Sequence, residues 1–86
     1  MNMKTITIRY FAAIREALGT ASETMATDAP TLAALRDELI ARGGPHAAAL
    51  ARGKAMRIAL EHVMTDESAA LSDGVEVAFF PPVTGG

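Results

Sequence analysis

The chain lacks several features that mark other classes of protein. Its 86 residues include no cysteine, which excludes a disulfide framework and a thiolate metal site. A net charge of −2 with 21% charged residues argues against a nucleic-acid-binding protein, which would need a basic patch. No stretch approaches the roughly 20 apolar residues of a membrane span, and the start of the chain has no signal-peptide core. These absences predict a small cytoplasmic domain that binds neither nucleic acid nor membrane.

The side chains also offer no catalytic arrangement. His46 and His62 are the two histidines, and both are interpreted as surface residues. No serine lies in a nucleophile motif such as G-x-S-x-G. Asp66-Glu67 is interpreted as part of a solvated loop. We therefore predict no metal site, no stably bound cofactor and no catalytic side chain.

What the chain does have is a double glycine at its C-terminus, directly after an apolar run and a proline pair. Proline favours extended backbone, whereas consecutive glycines, which lack Cβ, can pass through a narrow channel. Six residues after Phe80, at ~3.3 Å each, could carry the terminal carboxylate roughly 20 Å from the domain. We predict a domain over residues 1–80 and an extended tail over residues 81–86. The carboxylate of Gly86 would be the most accessible functional group of the chain, and the residues predicted to thread into a partner are Pro81, Pro82, Val83, Thr84 and Gly85.

Hydrophobic periodicity predicts a mixture of strands and helices in one domain. The predicted elements are a strand over 5–10, a helix over 12–18 closed by Gly19, a weak strand over 21–27, a main helix capped by Thr31 and reaching Ile40, a helical turn over 46–51, a strand over 56–61 paired with Val63-Met64, and a last strand over 75–80. One dominant helix in this order predicts an α+β domain of the β-grasp, or ubiquitin-like, layout. In that layout a small mixed sheet packs on the helix, and its first and last strands are neighbours in the middle.

Strand parity predicts an exposed aromatic pair at the base of the tail. If Ile8 and Tyr10 face the main helix, Phe11 emerges on the opposite side of the sheet. If Val77 and Phe79 also face the helix, Phe80 points to the same outer side. Exposed aromatic pairs mark interfaces, so Phe11 and Phe80 are predicted to contact a partner unless the C-terminal segment covers them.

Two segments carry a resemblance to a known family. Residues 73–86, DGVEVAFFPPVTGG, resemble the C-terminal signature of the small subunits of molybdopterin synthase, the MoaD-type sulfur carriers of the ThiS/MoaD ubiquitin-like family. Residues 9–19, RYFAAIREALG, are similar to the N-terminal motif of that family. The chain departs from the family at Glu61, where members commonly have Asn.

The resemblance implies a sulfur carrier in molybdenum cofactor biosynthesis. An adenylyltransferase related to ubiquitin-activating enzymes would use ATP to adenylate Gly86, and a sulfur donor system would convert the adenylate to a thiocarboxylate. The large subunit of molybdopterin synthase would receive the tail, so that sulfur passes to cyclic pyranopterin monophosphate. The chain would thus be the non-catalytic sulfur-donor subunit of a heteromeric transferase. Three other functions stay open: a sulfur carrier of thiamine biosynthesis, a ubiquitin-like protein modifier, and a binding module with an unreactive terminus.

Overall fold

A computed structural model of the chain describes residues 3–82. The described elements, in chain order, are β1 (Lys4–Tyr10), α1 (Ala12–Leu18), β2 (Ser22–Thr27), α2 (Leu32–Ile40), α3 (Gly44–Ala49), β3 (Arg57–Leu60), β4 (Val63–Thr65) and β5 (Glu76–Phe80). The predicted helix over 12–18 and the predicted weak strand are confirmed. The predicted turn over 46–51 is wrong by two residues at each end. Its helix starts at Gly44, because proline fits the first turn of a helix, where its missing N–H is not needed.

The strands form one five-stranded sheet in the order β2-β1-β5-β3-β4. β1 and β5 run parallel, with Tyr10 opposite Phe79, and the other neighbouring pairs are antiparallel. The first and last strands therefore lie side by side in the middle of the sheet, as the β-grasp prediction requires. This α+β arrangement confirms the predicted fold class.

The core lies between one face of the sheet and α2. Its sheet side comes from alternate residues of the strands, and its helix side from the apolar stripe of α2; the fully buried members are Ile6, Ile8, Tyr10, Val77, Phe79, Leu32, Leu35 and Leu39. Burying each large apolar side chain contributes roughly 1.5–3 kcal/mol before conformational entropy is counted. The pattern confirms the predicted strand phase, with Phe79 facing inward.

Both predicted helix caps are present. The hydroxyl of Thr31 accepts a hydrogen bond from the backbone N–H of Ala34 at 3.2 Å, which satisfies one of the free donors at the start of α2. Gly19 closes α1 with a φ of 73°, a left-handed conformation that glycine adopts without a steric penalty. The predicted boundary between residues 1–80 and a tail of 81–86 stays a prediction, since residues 83–86 lie outside the described part of the chain.

Candidate functional site

The tail leaves the domain from the middle of the sheet. β5 ends at Phe80 between its neighbours β1 and β3. The backbone N–H of Phe11 donates to the carbonyl oxygen of Phe79 at 3.1 Å, so the end of β5 is bonded to the segment that follows β1. Pro81 and Pro82 are half-buried. The remaining residues predicted to act in sulfur transfer lie outside the described residues, and their roles stay predictions: Val83, Thr84, Gly85 and Gly86.

Phe11 and Phe80 meet on the outer face of the sheet, the side opposite the core. Their rings pack edge to face, with centroids 6.0 Å apart and planes at 90°. The guanidinium of Arg9 lies 5.9 Å from the centroid of the Phe11 ring, a distance at which a cation attracts an aromatic face. Phe11 is 39% exposed. Phe80 is half-buried because it packs against Phe11, so it is less exposed than predicted. The predicted outward position of both rings is confirmed.

A hollow lies beside this aromatic pair. Strand pairing puts Arg9 opposite Ala78, Ala78 opposite Ala59, and Ala59 opposite Met64, so one row of side chains crosses four strands. The two alanines form the low floor of an open concavity between larger neighbours. Met64, 48% exposed, forms its far wall. This hollow was not predicted from the sequence. The pairing of Met64 with Ala59 across the β3–β4 hairpin would have placed Met64 beside it.

The charged groups around the hollow are mixed in sign. Glu76 lies 3.9 Å from the guanidinium of Arg9 and 3.5 Å from the imidazole of His62, measured between the nearest nitrogen and oxygen atoms. The His62 side chain is 77% exposed, as predicted. These groups leave the apolar floor accessible between charged rims, a pattern typical of protein–protein interfaces.

Glu61 and His62 form the turn between β3 and β4. Both have positive φ, 51° and 68°, as a two-residue hairpin turn requires. Asn tolerates this conformation better than other non-glycine residues, which gives a physical reason for Asn at the position of Glu61 in the resembling family. Here Glu61 offers a different stabilising contact: its carboxylate accepts a hydrogen bond from the N–H of Glu76 at 2.8 Å.

A polar cluster joins β1, β2 and the α2–α3 connection on the core side of the sheet. Glu23 accepts hydrogen bonds from the Tyr10 hydroxyl at 3.0 Å and from Arg42 at 2.8 Å. His46 lies 3.6 Å from Glu23 and is half-buried, so its predicted surface position is wrong. Burial, followed by the neighbouring Glu23 carboxylate, raises the pKa of Tyr10 far above its ordinary value. Burial acts to raise the pKa of Glu23 as well, but hydrogen bonds from Arg42 and Tyr10 outweigh it and lower that pKa.

We interpret this cluster as structural, because its groups are satisfied by one another and lie on the core side of the sheet, opposite the face that carries Phe11 and Phe80. Among residues 3–82, no group of three or more histidine, aspartate or glutamate side chains could hold a metal ion. No helix in the described part of the chain is long and apolar enough to cross a membrane. Within these residues, the strongest candidate for a functional surface is the tail root, the segment from Phe79 to Pro82 where the chain leaves β5, together with the outer face beside it.

Comparison with known proteins agrees with this geometry. The sequence model of the ThiS family matches residues 8–86. The chain belongs to the ThiS family. The match spans both segments that carry the resemblance, and it includes the C-terminal glycines.

Individual relatives show which known proteins the chain resembles. The molybdopterin synthase sulfur carrier subunit of Escherichia coli is 43% identical over 81 residues, covering 94% of this chain and 99% of that protein. One subunit in a complex of subunits 1 and 2 of the molybdopterin-converting factor from Helicobacter pylori matches with a TM-score of 0.62 and 29% identity, covering 95% and 99% of the two chains. SAMP1 from Haloferax volcanii matches with a TM-score of 0.74 at 23% identity, covering 95% and 99%, and supports the β-grasp fold alone. The resemblance to the MoaD-type sulfur carriers is confirmed.

Proposed function

We propose that the chain is the sulfur carrier subunit of molybdopterin synthase and works in molybdenum cofactor biosynthesis. The observation that carries the proposal is the match along nearly the whole chain to a relative of that name. The tail root supports it, since a carrier needs a terminus that leaves the domain beside a surface suited to a partner. The relatives favour this function over a sulfur carrier of thiamine biosynthesis, which would share the fold and the terminal glycines.

The chemistry of the proposed carrier takes place at the Gly86 carboxylate. A carboxylate is a poor electrophile, and attack of its oxygen on the α-phosphorus of ATP, with release of pyrophosphate, gives a mixed anhydride. Sulfide (HS⁻) released by a donor system then attacks the acyl carbon and forms the C–S bond as AMP leaves, and loss of a proton yields the thiocarboxylate. The second glycine, Gly85, keeps the reacting carbonyl accessible, because neither residue has a side chain.

Three proteins act on this terminus in the proposed scheme: an adenylyltransferase related to ubiquitin-activating enzymes, a sulfur donor system and the large subunit of molybdopterin synthase. The Helicobacter pylori complex of two subunits of the molybdopterin-converting factor supports the last of these. Phe11 and Phe80 would contact that subunit, since they flank the tail root on the outer face. In the large subunit the thiocarboxylate sulfur would attack cyclic pyranopterin monophosphate, and hydrolysis of the bond between this sulfur and the Gly86 carbonyl carbon would leave the sulfur on the pterin and return the carboxylate. We propose a cytoplasmic location for the carrier, because its activation requires ATP.

The proposal is tested by measuring the intact mass of the carrier after incubation with the activating enzyme, ATP and a sulfur donor. Gly86 should gain the mass difference of one oxygen-to-sulfur exchange. A variant that lacks Gly86 should melt at the same temperature and gain nothing. Sulfur acquired by the shortened chain would place the acceptor elsewhere, and a full-length chain that stays unmodified would contradict the carrier function.

A further inference from the structure

A second apolar surface adjoins the tail root, on the side opposite the aromatic pair. This root groove lies between α1 and the segment that precedes β3. Ala13 and Ala17 line one wall, Met56 lies on the other, Lys54 stands at the rim and Pro81 closes one end. The groove lies on the core side of the sheet, since the core residue Ile14 forms part of its floor.

A buried arginine holds the wall of the groove in place. Arg36 of α2 is 4% exposed and donates hydrogen bonds to the carbonyl oxygens of Leu50 at 2.8 Å, Ala51 at 2.7 Å and Lys54 at 3.2 Å. Its charge is balanced by Glu67 at 3.3 Å. Because three backbone carbonyls depend on one buried cation, the segment is held in a single conformation, and the groove is formed before any partner binds.

The rim of the groove carries a positive charge that is available to a partner. Among residues 3–82, the Lys54 ammonium makes no hydrogen bond or ion pair, and the residue is exposed. The lining is otherwise made of small or apolar side chains. A binding partner that fits this surface would combine an apolar side chain with a carboxylate.

We propose that the root groove is a second contact surface for the large subunit of molybdopterin synthase. The large subunit inserts an apolar side chain between α1 and Met56 and presents a carboxylate to Lys54. The inference rests on the proposed function. A channel that receives the tail must surround the chain where it leaves the domain, so its entrance contacts both sides of Pro81. The aromatic pair occupies one side and the root groove occupies the other, which makes the two surfaces parts of one continuous interface.

The charge contact is tested by titrating the uncharged carrier with the large subunit and measuring Kd at low and high salt. Lys54→Met should raise Kd by about three- to tenfold, and Lys54→Glu by more than tenfold, because a like-charge contact replaces an attractive one. The difference between the two variants should shrink at high salt. Arg15→Glu is the matched control: it changes the net charge equally, and Arg15 is exposed on α1 without lining the groove.

The apolar contact is tested by filling the groove. Ala17→Leu should raise Kd by about tenfold or more while the melting temperature stays within a few degrees, since leucine suits an exposed helical position. Ala48→Leu, exposed on α3 and outside the groove, should leave Kd unchanged.

Phe80→Ala, measured in parallel, separates failure of this inference from failure of the proposed function. If Phe80→Ala weakens binding while Lys54→Glu and Ala17→Leu bind like the original chain, the groove proposal is wrong and the carrier function stands. If the original chain does not bind the large subunit at all, both are wrong. If Lys54→Glu slows adenylation without changing Kd, the groove serves the activating enzyme, and the proposal is again overturned.

Discussion

Adjacent phenylalanines at the end of β5 should respond to truncation in opposite ways. Phe79 is completely buried and stacks on Tyr10, with ring centroids 6.3 Å apart and planes at 16°. Phe80 lies on the outer face, where its ring packs edge to face with that of Phe11. Phe79→Ala therefore removes core packing, whereas Phe80→Ala removes a surface that a partner would cover.

The expected effect on stability follows from burial. Truncating a buried phenylalanine to alanine costs about 3–5 kcal/mol of the free energy of unfolding. In a domain of this size each kcal/mol lowers the melting temperature by roughly 4–8 °C, so Phe79→Ala should melt at least about 12 °C lower. Because such a variant can fail to fold, Phe79→Leu serves as a milder companion, with an expected loss of about 1–2 kcal/mol. Phe80→Ala should cost less than about 1 kcal/mol, since its ring is only half-buried.

For binding to the large synthase subunit, truncation of Phe80 should have a larger effect than substitution of Phe79. Removing a central aromatic from an interface costs about 2 kcal/mol or more, which corresponds to a roughly 30-fold rise in Kd. Phe80→Ala should show this loss toward the large synthase subunit, and Phe79→Leu should bind within about threefold of the original chain.

Thermal melts and binding titrations on the same preparations provide the test. The reasoning is refuted if Phe80→Ala unfolds the domain while Phe79→Ala leaves its melting temperature unchanged. It is also refuted if Phe80→Ala binds the large subunit as tightly as the original chain, because the aromatic pair would then not be part of the interface.

Three further predictions concern the tail, the polar cluster and the β3–β4 turn. Gly85→Val should leave the melting temperature unchanged but sharply reduce sulfur transfer, because a branched side chain blocks a narrow channel; single-turnover assays with the large subunit measure this. The lowered pKa of Glu23 means that its ionised form stabilises the fold above the ordinary value of 4.5 and that this stability is lost as the pH falls through the folded-state pKa. Glu23→Gln should therefore be less stable than the original chain at pH 7, and the difference should narrow in denaturant titrations as the pH is lowered below 4.5. His62→Gly should raise the free energy of unfolding by about 0.5–1 kcal/mol in the same assay, because glycine relieves the positive φ of 68°.

Each of these expectations has a distinct contrary result. Normal sulfur transfer by Gly85→Val would mean that the tail does not enter a tight channel. A stability difference between Glu23→Gln and the original chain that stays constant as the pH is lowered below 4.5 would show that the Glu23 carboxylate does not stabilise the fold through its charge. A lower stability of His62→Gly would show that the exposed contact between His62 and Glu76 outweighs the backbone strain.

The amino-acid sequence by itself was sufficient to predict most of the local structure, because the signals are short-range. Apolar side chains recur at every second position along residues 5–10 and 75–79, because a strand with one buried face has a two-residue repeat. Thr31 and Gly19 mark helix ends because a hydroxyl satisfies a free N–H and because glycine tolerates left-handed backbone. The family resemblance added the reactive terminus, which is read directly from the last residues and needs no folded context.

Only the tertiary structure decided which distant residues share a surface. Arg9, Ala59, Met64 and Ala78 form one row because β5 inserts between β1 and β3 in a specific register, and a shift of one residue would turn each strand over. The role of Arg36 was likewise invisible, since charged residues at helical positions are usually exposed, and its carbonyl partners lie 14 to 18 residues away. This buried cation bonds the segment that forms one wall of the root groove. Such long-range pairing depends on packing of the whole domain, which no local pattern in the chain encodes.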